Sequence, residues 1–124
     1  MRIIGQRCDK AEVRVEGNEV GKINYGMMLL VSFTYGDTEK EIDYLVNKVL
    51  NLRIFDDQNG VMNKSILDIN GEILSISQFT LYANTSKGNR PSYIDALKGE
   101  DAIKLYDMFN EKLKSKIHTE TGVF

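Results

Sequence analysis

The run Met27-Met28-Leu29-Leu30-Val31-Ser32-Phe33-Thr34 restricts the fold more than any other feature of this chain. It is almost continuously apolar, which is the pattern of a strand covered on both faces rather than one with a wet side. Two strands precede it. Ala11, Val13 and Val15 alternate with Glu12, Arg14 and Glu16, the period of a half-exposed strand. Gly17-Asn18 reads as a turn, and Glu19 to Ile23 as the returning strand.

Thr38 and Glu41 have the spacing of a capping box, and Ile42, Leu45, Val46, Val49 and Leu50 follow on one helical face. Asp56 to Gly60 is a turn-rich break. Glu72 to Leu81 reads as one strand, with Leu74 and Ile76 on the same side as Gln78 and Thr80. After a loop from Asn84 to Ser92, a second helix is expected from about Glu100 to Lys116, with Ala102, Leu105, Tyr106, Phe109 and Leu113 inward. Ile117 to Phe124 begins a further strand. No repeat or linker divides residues 1–124, so a single domain is expected. The fold class is α+β: a curled antiparallel-rich sheet or half-barrel with two main helices packed on one side.

Composition removes several functions. No apolar run reaches the ~18 residues of a membrane span. Arg2 and Arg7 interrupt the start where a signal peptide needs its apolar stretch. Cys8 is the only cysteine, which suits a reducing cytoplasm. Sixteen Lys+Arg against 18 Asp+Glu leave a net charge of −2, so a general nucleic-acid binder is disfavoured and DNA is not an expected partner. A small basic patch gripping one end of an RNA remains compatible with that charge.

One histidine and one cysteine fall short of a zinc site. A nucleophile–imidazole pair would have to use His118, near the end of the sequence, where a solvated strand edge is as good a reading. No glycine-rich phosphate loop follows a strand. An enzyme here is expected to work without cofactor, metal or histidine base.

Two segments carry candidate chemistry. Ser77-Gln78-Phe79-Thr80-Leu81-Tyr82-Ala83 brings polar residues to the end of an apolar strand. On pattern alone a strand emerging into solvent is the favoured explanation. The sharper one is a site where N–H groups released from the ladder bind a developing oxyanion. Lys87-Gly88-Asn89-Arg90-Pro91-Ser92 is an ordinary solvated loop on composition, or a short basic loop that offers Lys87 and Arg90 to phosphate.

Taken in order, Gln6-Arg7, Gly36-Asp37-Thr38, Asn51 to Phe55, Gly71 to Leu74, SQFTLYA and KGNRPS resemble the D-aminoacyl-tRNA deacylase family across residues 1–124. The resemblance implies an obligate homodimer that hydrolyses the ester of D-aminoacyl-tRNA, and of glycine wrongly attached to alanine tRNA, as translation quality control. Ser77, Gln78, Phe79 and Thr80 would line the pocket, Arg7 would support it from the first strand, and Lys87, Asn89 and Arg90 would contact tRNA. With no base beside Thr80, its hydroxyl is a weak nucleophile. It is read as a positioning group, while a hydroxyl of the substrate's ribose activates water.

The sequence departs from the family pattern twice. Ser32-Phe33 stands where relatives usually carry a glycine, and the family's later strand, with a Gly-Pro pair that excludes L-amino acids, has no counterpart in the sequence, whose only proline is Pro91. A non-catalytic dimeric RNA-binding or scaffold module is therefore the competing expectation.

Overall fold

The computed structural model describes residues 1–124. In chain order the elements are β1 (Arg2–Cys8), β2 (Ala11–Val15), β3 (Asn18–Ile23), β4 (Gly26–Ser32), α1 (Glu39–Asn51), β5 (Phe55–Asp56), β6 (Met62–Lys64), β7 (Glu72–Ser77), a 3₁₀ turn (Phe79–Leu81), α2 (Gly99–Lys114) and β8 (Thr119–Thr121). A mixed sheet of order β1-β4-β7-β8 forms the centre. β1 is antiparallel to β4, whereas β4, β7 and β8 run parallel. Two antiparallel hairpins, β2-β3 and β5-β6, flank this open sheet, and the class is α+β as expected.

The apolar run becomes β4, paired on both edges. Met27, Leu29, Val31 and Phe33 turn to one face and join a core with Ile42, Val46, Val49 and Leu50 of α1 and Tyr106, Phe109 and Leu113 of α2. Both helices therefore lie on that face, tied to each other by Lys112 of α2, which binds Glu39 and Asp43 of α1. The opposite face receives the β2-β3 hairpin: a Cβ on Gly21 would come within 2.7 Å of the Thr121 carbonyl and 3.2 Å of Leu74. Strands β4 and β7 also meet closely at Gly26, where a Cβ would sit 1.8 Å from the Glu72 carbonyl oxygen.

Helix α1 starts as its capping box requires. Thr38 Oγ1 accepts the Lys40 N–H (3.3 Å), and Glu41 Oε2 accepts the Thr38 N–H (2.7 Å). These bonds satisfy two of the N–H groups that a helix start leaves unpaired.

Three expectations need correction. The β2-β3 turn sits at Glu16-Gly17, not Gly17-Asn18; Asn18 already pairs with Val15, and Glu16 and Gly17 have φ of 51° and 81°. Two consecutive positive φ values make the mirror-image turn that matches strand twist. The turn expected from Asp56 to Gly60 is present, but it connects a β5-β6 hairpin that the sequence pattern does not show; Asp57 Oδ1 closes it by accepting the Asn59 and Val61 N–H groups. The third difference concerns the site. β7 stops at Ser77, and the chain folds into the 3₁₀ turn instead of continuing to Leu81. Thr80 therefore does not share a strand face with Leu74 and Ile76.

Candidate active site

The end of β7 is where the ladder runs out. Gln78 N–H still donates to the Val31 carbonyl (2.8 Å), the last bond to β4. The next turn is internal, with Leu81 N–H donating to Gln78 O and Tyr82 N–H to Phe79 O. That arrangement leaves the Phe79 and Thr80 N–H groups without an acceptor in the chain. Ser32 Oγ, from the end of β4, donates to the Phe79 carbonyl (3.3 Å) and holds the turn in place.

Beside this turn opens a cavity of about 400 Å³. Ser77, Gln78 and Phe79 form one wall, Ser32 and Phe33 the floor of β4, and Leu97, Lys98, Gly99 and Ala102 the approach to α2. Val123 and Phe124 complete the lining. The Phe79 ring is half exposed, packs edge-on against Tyr93 (centroids 5.7 Å apart) and lies 5.1 Å from Lys98 Nζ. An aromatic edge, a cation and the unpaired Phe79 N–H thus border one concave space, with the Thr80 N–H in the adjoining turn. Such a space can hold an apolar or aromatic side chain and stabilise negative charge on an oxygen placed near the turn.

Tyr106 lies beneath it. Its hydroxyl donates to the Ser75 carbonyl (2.7 Å), and its ring is 5.8 Å from that of Phe124. Burial pushes the Tyr106 hydroxyl pKa above 10.0, opposed in part by hydrogen bonding to Ser75 and Asn110, so it stays a neutral donor at physiological pH.

Ser77, Gln78 and Phe79 line the cavity. Thr80 does not; its Oγ1 accepts a hydrogen bond from Gln78 Nε2 and so orients the Gln78 amide. Arg7 is at the other end of β1, opposite Met27, while it is Arg2 that stands opposite Ser32. Five strand steps separate the two arginines, roughly 16 Å. Arg7 donates to the Ile54 carbonyl (2.9 Å) and pairs with Asp56 (3.4 Å). Lys87, Asn89 and Arg90 are exposed in a loop whose neck is closed by paired bonds between Asn84 and Ser92 (2.8 Å each way). His118 is exposed at the start of β8, at the end of β7 remote from Ser77.

Sequence reasoning missed Lys98 and Arg2. Lys98 lies next to the α2 boundary, where a lone lysine reads as helix solvation. Arg2 carries no local pattern, and only the β1-β4 register reveals its position.

The family model described as D-Tyr-tRNA(Tyr) deacylase matches residues 4–124. The chain belongs to this family. A D-aminoacyl-tRNA deacylase from Bacillus cereus strain B4264 is 51% identical over 125 residues, an alignment that covers 100% of this chain and 86% of that protein. One from Bacillus thuringiensis strain Al Hakam is 50% identical with the same coverage. A solved structure titled c-Myc DNA Unwinding Element Binding Protein superposes with a TM-score of 0.94 at 37% identity, over 100% of this chain and 85% of that one. Three residues of the SQFT segment, Ser77, Gln78 and Phe79, line the cavity, and the fourth, Thr80, bonds to Gln78 beside it.

Proposed function

We propose that the protein hydrolyses the ester between a D-amino acid and the terminal ribose of tRNA, releasing both. The observation that carries this reading is the 3₁₀ turn after β7, which leaves the Phe79 and Thr80 N–H groups unpaired where Phe79 lines a cavity of about 400 Å³. Membership of the deacylase family supplies the substrate class. Glycine wrongly attached to alanine tRNA is a second substrate of the same chemistry, since a missing side chain leaves the ester in the same place.

The amino-acid side chain enters the cavity between Phe79 and the α2 approach, with its ester carbonyl at the turn. Water attacks the carbonyl carbon; the carbonyl π pair moves to oxygen, where the Phe79 and Thr80 N–H groups stabilise it. The neighbouring ribose hydroxyl of the substrate positions and activates the water, and the ribose oxygen leaves with the proton that water gave up. Thr80 acts through Gln78. Lys87 and Arg90 guide the tRNA backbone electrostatically, and the Asn89 amide offers it a hydrogen bond.

A homodimer in the cytoplasm completes the proposal. β1 is an edge strand of the central sheet, with Ile4 55% exposed, and an unpaired edge of that kind suits pairing with a second copy. No helix is long and apolar enough to cross a membrane.

The test is release of D-tyrosine from D-tyrosyl-tRNA, followed against the buffer rate. Turnover that saturates with substrate is expected; a rate equal to buffer at micromolar protein refutes the reading.

A further inference from the structure

A second concavity, of about 330 Å³, is lined by Arg2 of β1 and by the chain that follows the 3₁₀ turn, from Tyr82 to Ser86. Arg2 is the register partner of Ser32, which lines the first cavity, so one strand spacing separates the two. The Arg2 guanidinium lies 4.3 Å over the Tyr82 ring and gives one hydrogen bond to the Leu81 carbonyl (2.8 Å). A guanidinium has five N–H donors, so most remain for a ligand, and its outer face is open for stacking. Asn84, Ser86 and Asp95 complete the wall. Asn84 Oδ1 accepts the Ser86 N–H (2.9 Å), and the Asp95 carbonyl is pinned by Thr34 Oγ1 (2.6 Å), so this wall is held from two directions.

A simple anion fits poorly, because Asp95 opposes it. A simple cation fits no better, because of Arg2. The pocket asks for a ligand that offers a negative group and a hydrogen-bond donor, joined by a flat ring that can stack. A nucleotide with an amine-bearing base has all three. We propose that this pocket holds the nucleotide preceding the terminal adenosine, with its phosphate on Arg2, its base against the Arg2-Tyr82 stack and the base's exocyclic amine donated to Asp95. Stacking on aromatic rings and guanidinium planes is how proteins grip unpaired bases. The inference rests on the deacylase reading and adds a direction to it. The ester sits at the Ser77–Phe79 turn, the preceding nucleotide lies against the Arg2-Tyr82 stack, and the strand then passes the Asn84-Ser92 neck toward Lys87 and Arg90.

The experiment compares two substrates that differ only beyond the first nucleoside: D-tyrosyl-tRNA and D-tyrosine esterified to free adenosine. For each protein the readout is the ratio of kcat/KM for the tRNA ester to kcat/KM for the adenosine ester. Arg2→Ala should lower this ratio about tenfold, the scale of one lost stack or phosphate contact. Arg2→Lys should restore part of it, since charge returns without the planar stack. Asp95→Asn should lower it less, because an amide still offers an oxygen to the amine. A ratio unchanged in Arg2→Ala overturns the proposal, even if both rates fall, because that result means Arg2 only braces the turn through Leu81. Wild-type protein that cleaves neither ester overturns the deacylase reading and this proposal together.

Discussion

Thr80 shows how much a single residue's role depends on where its strand stops. On the pattern of the sequence it shares a face with Leu74, Ile76 and Gln78; in the structure it sits in the 3₁₀ turn, outside the cavity, bonded to Gln78. It has no base beside it, so its hydroxyl orients rather than attacks. Thr80→Ala should lower kcat by roughly ten- to hundredfold, about 1.4–2.7 kcal/mol, without abolishing turnover. A covalent aminoacyl adduct trapped on Thr80 would contradict this. SQFT was legible as a candidate segment because polar residues interrupt an apolar strand. The donors themselves were not, because unpaired N–H groups are a property of backbone geometry and any residue types could supply them.

Among the elements, β4 and α1 were the most readable. A central strand and a capping box each leave a local signature, in Met27 to Phe33 and in Thr38 with Glu41, although Met28 and Leu30 are only half-buried on the second face of β4. The β5-β6 hairpin leaves no such signature, because two and three residues are too few to show a period. The turn at Glu16-Gly17 was misplaced by one residue because glutamate at positive φ is sterically disfavoured. That strain gives a prediction. Glu16→Asn creates the Asn-Gly pair favoured in this turn and should stabilise the fold by up to about 1 kcal/mol, read as a higher denaturant midpoint. An unchanged or lower midpoint would show that Glu16 is held by something other than turn geometry.

The capping box has its own pH signature. Bonds from the Thr38 backbone N–H first, then its hydroxyl, hold the Glu41 carboxyl below its ordinary 4.5. Backbone N–H groups do the same for Asp57 and Asp68. A carboxyl whose folded pKa is depressed adds stability above its unfolded pKa and loses it as pH falls through the folded value. The unfolding midpoint should hold level down to about pH 5 and drop below that. Glu41→Gln should shrink the drop, and an equal drop in that variant would remove Glu41 from the explanation.

At the scale of the whole molecule, the sheet order brings together residues that the sequence keeps far apart. Ser32, Ser77 and Lys98 meet at one cavity only because β4 and β7 are parallel and α2 returns over the same end. No local pattern carries that information, which is why the sequence marks neither Lys98 nor Arg2 and does not show that Arg2 and Arg7 stand at opposite ends of β1. With β1 exposed at the sheet edge, sedimentation at micromolar concentration should show a species of about twice 14.1 kDa. A lone 14.1 kDa species would contradict the dimer.

The central claim is that backbone donors and the substrate's own ribose hydroxyl perform the hydrolysis. It is tested most directly by the rate of D-tyrosine release from D-tyrosyl-tRNA beside that from the same ester on a tRNA lacking the terminal 2′-hydroxyl. The account predicts saturable hydrolysis of the first and at least about a hundredfold slower hydrolysis of the second, within the range of a lost positioned proton-transfer group. Equal rates for the two would contradict it.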